Sequence, residues 1–144
     1  MRWANGCAVT LLWLALAATA TAEQKQMIGG FEAHYSLVPT SFLKPDIAAE
    51  YGVTRARDRA LLNISIIDPE TGPVRAAVSG GMRNLLEQRE TLSFREVLEG
   101  PAVYYLAEVR YTDRDVLRFA LEVETPDGIR HTLAFTQRMY WDGR

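Results

Sequence analysis

The sequence predicts an all-β fold, an antiparallel immunoglobulin-like sandwich of about seven strands with one short helix between the first two strands. Three observations carry this expectation. Most of the chain after Glu23 alternates apolar and polar residues with a period of two, as strands with one buried face do. Turn residues interrupt the alternation at short, fairly regular intervals. Only Ser41 to Gly52 carries helix punctuation instead.

In Lys25 to Ser36, Phe31, Ala33 and Tyr35 share a face that continues to Leu37, with Glu32, His34 and Ser36 opposite. Gly29-Gly30 inside this run reads as a bulge or a close backbone contact. Pro45 then suits a first helical position and Gly52 the residue just past a helix end. Ile47 and Tyr51 are four apart and share a helical face, so this element is expected to cap an open end of the sandwich. Ala60 to Ile67 is more uniformly apolar, as a central strand covered on both faces would be. Asp68 to Pro73 is a turn signal. Val74, Ala76 and Val78 alternate until Gly80-Gly81 breaks the pattern.

Thr91 to Leu98 is read as one strand with Leu92, Phe94 and Val97 inward, closed by Glu99-Gly100-Pro101. Ala102 to Tyr111 places Val103, Tyr105, Ala107, Val109 and Tyr111 on one side. After the turn Thr112 to Asp115, Leu117, Phe119, Leu121 and Val123 face inward, with Arg118, Glu122 and Glu124 outward. This is the clearest half-buried strand in the chain. Pro126-Asp127-Gly128 supplies hairpin chemistry, and Ile129 to Trp141 returns with Ile129, His131, Leu133, Phe135 and Met139 on one face.

The N-terminus speaks of address. Arg2, the apolar run Ala8 to Ala18, and the small residues Ala20 and Ala22 form a signal peptide over residues 1–22, with cleavage expected between Ala22 and Glu23. The run is 11 residues, short of the roughly 20 a membrane span needs. The expected product is a single periplasmic domain over residues 23–144, with no transmembrane segment after cleavage. Cys7 lies inside the segment to be removed and precedes the apolar run, which argues against a lipid anchor. A thiol-free mature chain excludes a disulfide framework, a cysteine metal site and a cysteine nucleophile. Its 15 basic and 18 acidic side chains lack the strongly basic stripe that nucleic acid demands.

Several segments together resemble a known family. His34-Tyr35-Ser36, Ser41-Phe42-Leu43 with Pro45, Tyr51-Gly52, Leu62-Asn63-Ile64-Ser65, Asn84-Leu85, Phe94-Arg95-Glu96-Val97 and Tyr104 to Val109 occur in that order. They resemble small exported bacterial proteins grouped as domain of unknown function four-four-two-six, from about Glu23 to Trp141. The resemblance implies a β-sandwich envelope protein. It implies no reaction, cofactor or catalytic residue.

The residues that carry chemistry are sparse. His34 and His131, the only histidines, sit in separate strands without a carboxylate at ligand spacing, so no metal site is expected. No serine lies in a G-x-S-x-G elbow, and no Gly-rich phosphate loop leads into a helix. Asp113 and Asp115 are explained as turn-formers, and Glu96 and Glu99 lie where a strand is ending. Arg55, Arg57 and Arg59 alternate, so an extended backbone would project three guanidinium groups from one side toward an acidic partner. Tyr104, Tyr105, Tyr111, Tyr140 and Trp141 form an aromatic set of which Tyr104 or Tyr105 must face outward. The expected function is therefore a non-enzymatic binding module of the envelope without a cofactor. Its partner would be an envelope protein or an acidic glycan or lipid, met at Arg55, Arg57 and Arg59. The alternative is a carrier whose strands close into a barrel around an apolar ligand; a hydrolase ranks below both.

Overall fold

Ten strands grow from the alternating segments in a computed structural model that describes residues 24–141. The signal peptide expected over residues 1–22 lies outside the described residues. The strands are β1 (Gln24–Ile28), β2 (Phe31–Pro39), β3 (Arg59–Asp68), β4 (Gly72–Pro73), β5 (Ala77–Arg83), β6 (Arg89–Thr91), β7 (Arg95–Glu99), β8 (Ala102–Arg110), β9 (Val116–Glu124) and β10 (Arg130–Arg138). One sheet runs β1-β2-β3-β8-β7 with β4 on β3; the other runs β10-β9-β5-β6. Every pairing is antiparallel. The orders β2-β3-β8-β7 and β10-β9-β5 reproduce the A-B-E-D and G-F-C sheets of immunoglobulin domains. The expected sandwich is what the chain builds.

Its core lies where the two alternating faces meet. Leu62, Ile64 and Ile66 of β3 are fully buried, together with Leu117, Leu121 and Val123 of β9 and Leu133 of β10. Tyr35, Phe135 and Phe119 stack in sequence across the layers, with ring centroids 4.1 and 4.6 Å apart. Such ring pairs add about 0.5–1.5 kcal/mol each beyond the area they bury. The faces of β8 and β9 that a carrier would need around its cavity are this packed interior, and the two open sheets do not close into a barrel. The carrier architecture is thereby corrected.

Several local expectations also change. Gly29-Gly30 is no bulge but the turn of a β1–β2 hairpin, so the first ribbon is two strands. The stretch read as one strand over Thr91 to Leu98 leaves one sheet after β6 and joins the other as β7. Leu92 and Phe94 do pack on the core during this crossing, but Val97 ends on the opposite face of its sheet. Ile129 lies in the β9–β10 turn and is 54% exposed.

The short helix α1 (Pro45–Glu50) lies between β2 and β3, that is, between the first two ribbons. The segment carrying it does not cap an end. Leu43, Tyr51 and Val53 pack on Leu61 and Leu106, the outward apolar residues of β3 and β8. Those two side chains would otherwise face water, which is why β3 reads as apolar on both faces. Thr40 fixes the segment's two ends: its buried Oγ1 donates to the Ala56 carbonyl at 3.0 Å and accepts from the Ala56 amide at 2.9 Å.

Candidate functional site

Beyond the patch covered by α1 and its flanks, the outer face of the first sheet is a groove of about 520 Å³. Strand periodicity builds its floor: residues opposite the core side chains must point outward. These are His34 and Ser36 of β2, Asn63 and Ser65 of β3, and Tyr104 of β8. The pairings Ser36 with Asn63 and His34 with Ser65 set them side by side. Tyr51 and Glu99 rise at the margin, joined by a hydrogen bond in which the Tyr51 hydroxyl donates to Glu99 Oε1 at 2.5 Å. That bond, aided by burial, pushes the Tyr51 phenol up to about 12.

One floor atom lacks what its chemistry asks for. Asn63 Oδ1 is buried with no hydrogen-bond partner. A buried acceptor left unpaired costs about 1–3 kcal/mol. His34 Nε2 lies 2.8 Å from Glu32 Oε2. This hydrogen bond, reinforced by Lys25, holds the Glu32 carboxyl below its ordinary range.

The three arginines singled out in the sequence go three ways. The Arg55 guanidinium donates to the Ser41 carbonyl at 3.1 Å. Arg57 stacks over the Trp141 ring at 4.3 Å, and Arg59 lies 3.8 Å from Glu108. Residues 53–58 belong to no strand, so no ladder aligns Arg55 and Arg57 with Arg59 of β3.

The histidines separate too. His34 is on the outer face, whereas His131 packs under Gly29 with Nε2 buried and unpartnered. Asp113 accepts the Trp141 amide, and Asp115 is a buried acceptor for Leu85, Thr112 and Val116. Glu96 takes a two-point grip from Arg75 and the Tyr105 hydroxyl. The Arg75 hydrogen bonds dominate in lowering its carboxyl. Glu99 is turned to the groove instead. Of the aromatic set, Tyr105 and Tyr111 are buried, Tyr104 lines the groove, and Tyr140 is exposed. Asn63 and Ser65 were available as a signal, being the two polar residues inside an otherwise apolar strand.

Comparison with known proteins adds a family to this geometry. The sequence profile described as Domain of unknown function (DUF4426) matches residues 25–142. The chain belongs to the DUF4426 family. A DUF4426 protein of Pseudomonas aeruginosa PAO1, known from its crystal structure, is 31% identical with a TM-score of 0.74. The match covers 84% of this chain and 97% of that one. FetP of uropathogenic Escherichia coli strain F11, expressed in the periplasm of E. coli BL21(DE3), is 11% identical with a TM-score of 0.62, covering 85% and 96%. A copper-bound variant of FetP is 10% identical with the same TM-score, covering 87% and 94%. At those identities the likeness to FetP is one of fold. Among the described residues of this DUF4426 chain, no three His, Cys, Asp or Glu side chains form a group that could hold a metal. None of the curated proteins matches it. No helix among the described residues is long and apolar enough to cross a membrane.

Proposed function

We propose that this DUF4426 protein is a non-enzymatic binding module of the cell envelope, released into the periplasm, whose ligand lies in the outer groove of the first sheet. The observation that carries the reading is Asn63 Oδ1, a buried acceptor without a donor on the groove floor. Around it stand the hydroxyls of Ser36 and Ser65, with the rings of Tyr51 and Tyr104. An acceptor among hydroxyls and phenol rings suits a ligand bearing hydroxyl and amide N–H groups on an apolar frame, as N-acetylated glycan chains do. The volume falls within the usual 300–1,000 Å³ of small-molecule sites. The non-enzymatic part rests on what the polar groups are already doing. Asp113, Asp115 and Glu96 are each committed to backbone or ion-pair contacts, and the two histidines lie on different faces.

The test is an amide-shift titration with soluble N-acetylated oligosaccharides from cell wall. Shifts grouped at Ser36, Asn63, Ser65 and Tyr104, and abolished by Asn63→Leu, are the expected result. Shifts absent or scattered over the surface, or binding unaffected by Asn63→Leu, would overturn it. Mass measurement of chain recovered from the periplasm tests the address: it should begin at Glu23.

A further inference from the structure

A second surface lies at the end of the sandwich where β5 ends and β9 begins. The β5–β6 loop, residues 84–88, holds two adjacent leucines out in water: Leu85 is 56% exposed and Leu86 78%. This tip is built rather than loose. Asn84 Oδ1 accepts the amides of Leu86 and Gln88, at 3.0 and 2.9 Å. Glu87 adopts φ +62° to close the turn, and the Leu85 amide is tied to the buried Asp115 at 3.0 Å. Turn chemistry uses Asn84 and the backbone and requires neither leucine. Among the described residues both stay open to solvent.

Arginines ring this tip. Arg89, Arg83 and Arg118 stand in one row across three strands, because Arg83 pairs with Arg89 on one side and Arg118 on the other. Arg138 lies two pairs further along β10, and Arg57, Arg110 and Arg114 belong to the segments knitted together at the same end. Among the described residues the carboxylates there are Asp58, Glu87, Glu90, Asp113 and Asp115. Glu87 pairs with both Arg83 and Arg118, and Asp115 is buried and engaged by backbone amides. Its described residues thus carry more cations than anions, in a chain whose net charge is −2.

We propose that this end docks on an anionic phospholipid bilayer, Leu85 and Leu86 entering the headgroup boundary while the arginine row meets lipid phosphates. Paired exposed leucines framed by arginine forks match that boundary in both its apolar and its charged layer. A protein partner would call for neither the lipid phosphates nor a dependence on bilayer charge, and is an outcome of the test. The proposal is independent of the groove, whose Asn63 variant serves as a control.

The experiment is co-flotation of the processed chain, verified by mass to begin at Glu23, with phosphatidylglycerol-containing vesicles and with pure phosphatidylcholine vesicles. The expected result is retention on anionic vesicles only, falling steeply with salt. Leu85→Ser with Leu86→Ser should weaken it by about tenfold or more, on the transfer free energy of one or two leucine side chains. Arg83→Gln with Arg89→Gln should also weaken it, while Arg130→Gln, at the far end of the same sheet, and Asn63→Leu should not. Unchanged unfolding midpoints in all variants exclude a folding artefact. No retention on anionic vesicles, equal retention on neutral ones, or indifference to the leucine change each overturns the proposal. So does loss of a protein partner, rather than of vesicles, in the leucine variant.

Discussion

Replacing Gly80 by alanine tests the packing of the second sheet at its tightest point. Gly80 sits in β5 at φ +130°, a region that side-chain-bearing residues rarely occupy. A Cβ placed there would lie 2.4 Å from the Ala120 carbonyl oxygen and 2.9 Å from Leu121 Cα. Both belong to the backbone of the paired strand β9, so no side chain can swing aside. Ordinary contact distances are about 3.5–4.0 Å, which requires β5 and β9 to separate by about 1 Å. The conformational cost is about 1–3 kcal/mol. Weakening two or so ladder hydrogen bonds adds about 1 kcal/mol each, for a total of about 3–5 kcal/mol. Gly128→Ala is the matched control: φ is +79°, but nothing lies within 4 Å of the added carbon. It should cost about 1 kcal/mol, the conformational part alone. Urea midpoints converted with a common slope read both values. If the two variants agree within about 1 kcal/mol, the close approach of β5 to β9 is not what Gly80 serves.

The Tyr51–Glu99 bond makes stability fall in alkali. The phenol is raised in the folded state, so its contribution is complete below pH 10 and disappears as pH climbs toward about 12. Tyr51→Phe should flatten that part of the stability–pH profile; an unchanged profile refutes the assignment. Asp115, only 5% exposed, accepts from the Leu85 and Val116 amides at 3.0 and 2.9 Å, and more weakly from Thr112. Asp115→Ala should cost about 3 kcal/mol by urea unfolding and speed amide exchange at Leu85, and a loss below 1 kcal/mol would refute the tether.

Much of this fold was legible because period-two alternation survives wherever a strand keeps one sheet. From Leu117 to Val123 the inward residues are those expected, all fully or nearly buried. What escaped notice were slips of phase. Across Gly29-Gly30 the core-facing positions jump from Ile28 to Phe31 and Ala33, an odd step that a two-residue turn produces and a continuous strand does not. Val97, three residues beyond Phe94, takes the outer face as plain alternation requires, and the crossing between β6 and β7 leaves no mark in the alternation at all. The arginines illustrate a related point. Alternation has geometric meaning only where a ladder holds the backbone extended, and the residues 53–58 have no ladder partner. The groove required knowing which strands are neighbours, information that lies in the register of β2, β3 and β8 rather than in any one of them.

The flanks of the sandwich have a bearing on how the protein behaves when crowded. A bare ribbon border invites another chain to add itself, which is how many β proteins become fibres. Here one flank is sealed by covalent continuity, since β6 is three residues long and the backbone runs straight on into β7. On the other, Gln26 of β1 reaches across and donates its side-chain amide to the Ala134 carbonyl of β10 at 2.8 Å. With Gln26 latching this margin, one side-chain amide helps to keep a second copy from adding its own strand when the protein is concentrated.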